Sequence, residues 1–245
     1  MTITESAQAI LPAPWPEHRG AASTGIPPLN SGDRLTRREF ELRYTAHPEI
    51  NKAELVEGVV QVSSPVRSKQ HGGPHATAVW WLVHYTTATP SVAVRDNTTV
   101  RLDYENEPQP DAFLCLEPEH GGTSRLSEDD YTEGPPDLVV EVAASSAAFD
   151  LHDKFRAYQR NGVREYVVLQ VYERRVAWFV LREGVYGLLE PDEAGIIRSE
   201  LFPGLWLKPE ALWTEDLAGL LAVLQQGLAS PEHTEFVARL QAAGG

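Results

Sequence analysis

The sequence predicts a single α/β domain with additions, and three observations predict it. Strand-like and helix-like patterns alternate after residue 50. The stretch from Gly134 to Val171 reads as buried strand, loop, amphipathic helix and second buried strand. Short alternating segments around Glu57-Gly58 and Glu183-Gly184 read as β-hairpins. A chain of 245 residues is long enough to bury a good core in one large domain.

Composition narrows the class. The formal net charge of −14 argues against a broad, non-specific grip on nucleic acid, which needs clustered Lys and Arg. It leaves room for a local basic cleft or a metal site. The single cysteine, Cys115, excludes an internal disulfide and suits a reducing compartment. The first residues lack a basic segment followed by an apolar core, and no apolar run reaches the roughly 18 residues of a membrane span. A soluble, cytoplasmic protein without membrane contact is expected.

In chain order, the proline-containing residues 1–30 read as a flexible leader. Thr36-x-x-Glu39 is a capping-box pattern that starts a short helix. Ala53 to Ser63 forms a hairpin whose turn carries Glu57 and Gly58. Glu54 and Glu57 flank that turn; solvated side chains are the ordinary reading, and Glu57 stands out because a backbone or ligand can approach closely at Gly58. Ser64 to Pro74 is a locally basic loop with Arg67, Lys69 and His71. A helix follows from His75 to Tyr85, with Val79, Leu82 and Val83 as the expected inner stripe. His75 falls on that stripe at the helix start, where it can pack or meet a phosphate or carboxylate. Ser91 to Leu102 reads as a bent strand around Asp96-Asn97, and Asp111 opens a strand directly after Pro110. Beyond Val171 come strands from Arg175 and Val185, an apolar segment from Leu201 to Pro209, and a helix from Leu212 to Leu228. The domain is expected over residues 31–213, with a C-terminal helical extension over 214–245.

Two charges break the apolar pattern of the central stretch. Glu141 interrupts Leu138-Val139-Val140-Glu141-Val142, and Lys154 shares a helical face with Leu151, Phe155 and Tyr158. Each costs several kcal/mol if buried and unpaired. A structural ion pair, or a lysine that snorkels to water, accounts for either residue taken alone. Asp111 adds a third ionisable group in register. If its strand neighbours that of Glu141, the two carboxylates and the backbone carbonyl of Val142 make a hard oxygen site suited to Mg²⁺ or Mn²⁺. With Lys154 at hand to hold a water, metal-assisted phosphodiester hydrolysis is the chemistry such a set supports.

The segments QPDAF (Gln109 to Phe113), DLVVEVA (Asp137 to Ala143), DLHDKFRAYQRNGVREYVV (Asp150 to Val168) and FPGLWL (Phe202 to Leu207) resemble the Uma-two family of restriction-endonuclease-like proteins. That family lies within the PD-(D/E)XK nuclease superfamily, and the resemblance runs from about Leu35 to Trp213. It implies a restriction-endonuclease-like core, a mixed β-sheet flanked by helices, with an N-terminal β-hairpin extension. It also implies Asp111 and Glu141 as metal-holding acids and Lys154 as the catalytic lysine. The superfamily places its lysine two residues after the acid, where this chain has Ala143, so Lys154 of the next helix takes that role. Glu57 corresponds to the family's early acid. The implied activity is a divalent-metal-dependent endonuclease acting on nucleic acid, DNA foremost, as a homodimer. The alternative is a catalytically silent module of the same fold that serves protein binding or assembly.

Overall fold

The computed structural model describes residues 25–63 and 68–243, so most of the expected leader, and Arg67, lie outside the described residues. Thr36 caps helix α1 (Arg37–Ala46), its hydroxyl accepting the Glu39 N–H. Strands β1 (Ala53–Val56) and β2 (Val59–Val62) form the hairpin. Glu57 and Gly58 both take positive φ, 53° and 71°, as a two-residue turn matched to strand twist requires. Ala53, Leu55 and Val60 pack against Phe40 of α1 in a small separate core.

Helix α2 (Gly73–Thr86) leads into a six-stranded sheet. Its strands are β3 (Val92–Asp96), β4 (Ala112–Leu116), β5 (Leu138–Ala143), β6 (Glu165–Gln170), β7 (Arg175–Arg182) and β8 (Val185–Leu188), adjacent in chain order. Every neighbouring pair is antiparallel except β5 and β6. A parallel pair needs a crossover, here one widened π-turn (Asp150–Lys154) running into helix α3 (Phe155–Asn161). Helices α4 (Leu217–Leu228) and α5 (Pro231–Ala243) close the chain.

The strands carry apolar residues on both faces because both are covered. Leu114, Leu138, Val140 and Val167 pack with Trp81, Leu82 and Tyr85 of α2, Leu220 and Leu224 of α4, and Phe236 of α5. On the opposite face Val139 and Val168 pack with Tyr158, Val163 and Tyr166. No helix of the described residues is long and apolar enough to cross a membrane.

Two expectations are corrected. The buried side of α2 is Ala78, Trp81, Leu82 and Tyr85, while Val83 is 42% exposed. The aromatics bury more area than valines, and their polar tips are satisfied: Trp81 donates to the Trp206 carbonyl at 3.1 Å and Tyr85 to the Pro203 carbonyl at 3.1 Å. The helix expected over Leu212 to Leu228 is broken after Trp213, because Glu215 takes φ 57° and Asp216 caps α4 by accepting the Gly219 N–H at 2.9 Å.

One buried carboxylate fastens the segment after β8. Glu165 Oε1 accepts the N–H groups of Glu200 (2.8 Å) and Leu201 (2.9 Å). Its Oε2 accepts the Ser199 hydroxyl (2.8 Å) and the Trp178 indole N–H (3.0 Å). Glu165→Gln sets an amide N–H₂ against donors, so a loss of about 3 kcal/mol is expected. A urea-unfolding midpoint equal to that of the wild type would disprove it.

Candidate active site

The register of Ala112 with Val140 continues to set Asp111, at the start of β4, opposite Glu141 within β5. Asp111 lies just outside β4 and accepts the Val142 N–H on Oδ2 at 2.8 Å. Glu141 points to the face of β5 that meets α3, where Tyr158 donates to its Oε1 at 2.9 Å. The π-turn then brings in Lys154, whose Nζ lies 2.8 Å from the same Oε1. Both bonds land on Oε1, which leaves Oε2 for a further ligand.

The ammonium has a second close partner. Glu54 Oε1 lies 2.8 Å from Lys154 Nζ and also accepts the Gln109 N–H at 2.7 Å. Asp150 Oδ1 stands 3.9 Å away, one turn before the lysine. Because strand side chains alternate, Leu55 faces α1 and Glu54 faces the central sheet. Glu57, the acid expected here, instead occupies the hairpin turn and pairs with Arg160 at 2.9 Å. Positive φ at the turn carries its side chain off the strand face, so the hairpin's contribution to the cluster is Glu54.

The rim around Asp111 is basic. His71 Nε2 lies 3.5 Å from Asp111 Oδ1, and its Nδ1 lies 3.2 Å from the Val142 carbonyl oxygen. Lys52 Nζ lies 3.7 Å from the same Oδ1. His75 stacks on His71 with ring centroids 5.6 Å apart; its Nε2 lies 3.0 Å from the Asp111 carbonyl and 2.9 Å from Asp96 Oδ1. The structure thus brings Asp111, Glu141, Lys154 and His75 into one region and adds Glu54, Asp150, His71 and Lys52. The region is more enclosed than a solvent-open pocket: the side chains of Glu141 and Lys154 are each 4% exposed.

Glu54, Glu141 and Asp150 lie within 4 Å of the Lys154 ammonium, and the proton affinities of Glu141, Asp150 and the neighbouring Asp111 divide. Burial pushes Glu141 up to about 8 against the pull of Lys154, with Asp111, Asp150 and Glu54 adding to the rise. Burial likewise pushes Asp150 up to about 6. Asp111 goes the other way: burial is outweighed by His71, Lys52 and Lys154, which hold it at about 2. Burial would lower Lys154, but Glu141, Glu54 and Asp150 hold it well above the ordinary lysine range. The Asp111 contact raises His71 against its burial.

The donors fit a hard divalent cation. Buried carboxylates outnumber the cations beside them, and a Mg²⁺-sized ion typically takes one or two carboxylates and keeps several waters. Among the described residues no three His, Cys, Asp or Glu side chains form a ready-made metal cage. A two-carboxylate site does not require one.

No curated protein matches the chain. It is similar in fold to the crystal structure of a "putative nuclease" from Anabaena variabilis, at 13% identity and a TM-score of 0.50, over 66% of this chain and 89% of that one. The two share a mixed sheet flanked by helices. A family model described as "Putative restriction endonuclease" matches residues 37–210. The chain belongs to this family, Uma2.

Proposed function

We propose that this chain is a divalent-metal-dependent endonuclease that hydrolyses phosphodiester bonds in nucleic acid, with DNA as the foremost substrate. The observation that carries the reading is the surplus of buried carboxylates converging on one ammonium, beside the paired positions Asp111 and Glu141 of two adjacent strands. Asp111 and Glu141 would hold Mg²⁺ or Mn²⁺. When bound, such an ion polarises a phosphoryl oxygen and acidifies a water. Lys154 supplies fixed positive charge where the phosphorane develops negative charge. Glu54 and Tyr158 orient that charge by holding the ammonium and the Glu141 carboxylate from opposite sides. His75 braces the backbone of Asp111. Cutting both strands of a duplex asks for two such sites, and a homodimer is the working form in this reading.

The near-complete burial of Glu141 and Lys154 favours a second reading, in which the cluster is structural and the domain serves as an assembly module. Oligonucleotide and plasmid cleavage with Mg²⁺ and Mn²⁺ separates the two. Glu141→Ala, Lys154→Ala and Glu54→Gln are expected to lose at least about 100-fold in rate, and Glu57→Gln to stay within about threefold. Equal rates in the wild type and Glu141→Ala would leave the structural reading standing.

A further inference from the structure

The chain carries a surplus of acid overall, with a net charge of −14, and among the described residues most basic side chains pair with a carboxylate. In the broad cleft lined by Arg37, Arg101 and Arg125, Arg101 pairs with Glu41 and Asp129, and Arg125 with Glu133. Lys52 is held differently. It immediately precedes β1, two residues before Glu54, so both side chains leave the same face of the extended segment. Glu54 runs inward to Lys154. Lys52 stays at the edge, with its side chain 27% exposed, and donates one hydrogen bond to Asn97 Oδ1 at 3.1 Å.

Its carboxylate neighbour is Asp111 Oδ1 at 3.7 Å, beyond hydrogen-bond range, and His71 approaches that same oxygen. An ammonium carries three donors, so the bond to Asn97 fixes its position and leaves donors for another acceptor. That acceptor would sit on the solvent side of the acid cluster. From this geometry we infer that Lys52, steadied by Asn97, is a substrate-binding residue that contacts a nucleic-acid phosphate beside the bond to be cut. The inference rests on the nuclease reading above and names a rim side chain that would bring the polyanion to the acid cluster.

The test is binding of a fluorescein-labelled duplex oligonucleotide to the full chain, followed by anisotropy with Ca²⁺ over a range of salt. Lys52→Met is expected to weaken binding about fivefold and to make the slope of log K against log salt shallower by about 0.9, one phosphate contact's worth. Lys52→Arg should restore the slope. A lysine that merely neutralises Asp111 would change the Mn²⁺-induced rise in melting temperature and leave the salt slope untouched, which would overturn the inference. So would wild-type affinity and slope in a folded Lys52→Met. Failure of the wild type to bind or cleave any nucleic acid would overturn the nuclease reading along with it, whereas unchanged Lys52→Met behaviour beside a cleaving wild type would sink this inference alone.

Discussion

Lys154→Met is expected to destabilise the protein by about 3–5 kcal/mol at neutral pH and to abolish cleavage. The ammonium lies 2.8 Å from both Glu54 and Glu141 and 3.9 Å from Asp150. Removing it leaves three buried carboxylates with no cation between them, and desolvation of charge dominates at such a site. The carboxylates escape the penalty by taking up protons. The loss should therefore be largest in alkaline solution and shrink as the pH falls through the range where they protonate. Urea unfolding at several pH values measures this directly. A pH-independent loss under about 1 kcal/mol would mean that the ammonium does not hold the cluster together.

The second large effect couples pH to metal. Glu141 at about 8 and Asp150 at about 6 are both raised above the unfolded chain's ordinary carboxylate range. The folded state thus keeps protons that the unfolded chain has already released. Stability from these groups is complete below the ordinary range and is lost as pH climbs through about 6 and then about 8, at about 1.4 kcal/mol per pH unit for each proton. Asp111, held down at about 2, acts in the opposite sense. Its contribution is present above the ordinary range and lost as pH falls towards about 2. In the metal-dependent reading a divalent cation would bind the ionised carboxylates and reverse the alkaline loss, because a ligand that binds only the native state stabilises it. Mn²⁺ should therefore raise the melting temperature more near pH 8 than near pH 6. Melts with and without the ion at those two values decide it, and an equal or absent shift at both removes the coupling.

Glu141 and Lys154 were legible because each breaks an apolar pattern, and Asp111 because it opens a strand directly after Pro110. Glu141 interrupts a strand that is buried on both faces, and Lys154 sits on the packed side of its helix. Glu54 carried a weaker signal. Alternation with Leu55 sets it opposite the α1 core, but what lay across from it depended on the hairpin docking against the central sheet. Glu57 drew notice through its neighbour Gly58, and the same turn geometry removes it from the cluster. Asp150 reads as an ordinary acid at a helix start. Its i,i+4 spacing puts it on the face of Lys154 in any helix, but its burial depends on the crossover packing against the sheet. The stripe of α2 was misassigned because Trp81 and Tyr85 carry polar tips that only the distant carbonyls of Trp206 and Pro203 satisfy.

The acids of the site come from positions 54, 141 and 150 around Lys154 and from 111 beside them, drawn from a hairpin, two strands and a crossover. Closing such loops is entropically slow relative to local structure. We expect the constellation to assemble late, after the sheet has condensed and the hairpin has swung onto it. A chain still emerging from the ribosome would hold these carboxylates apart, and the proposed site would form only with the finished domain.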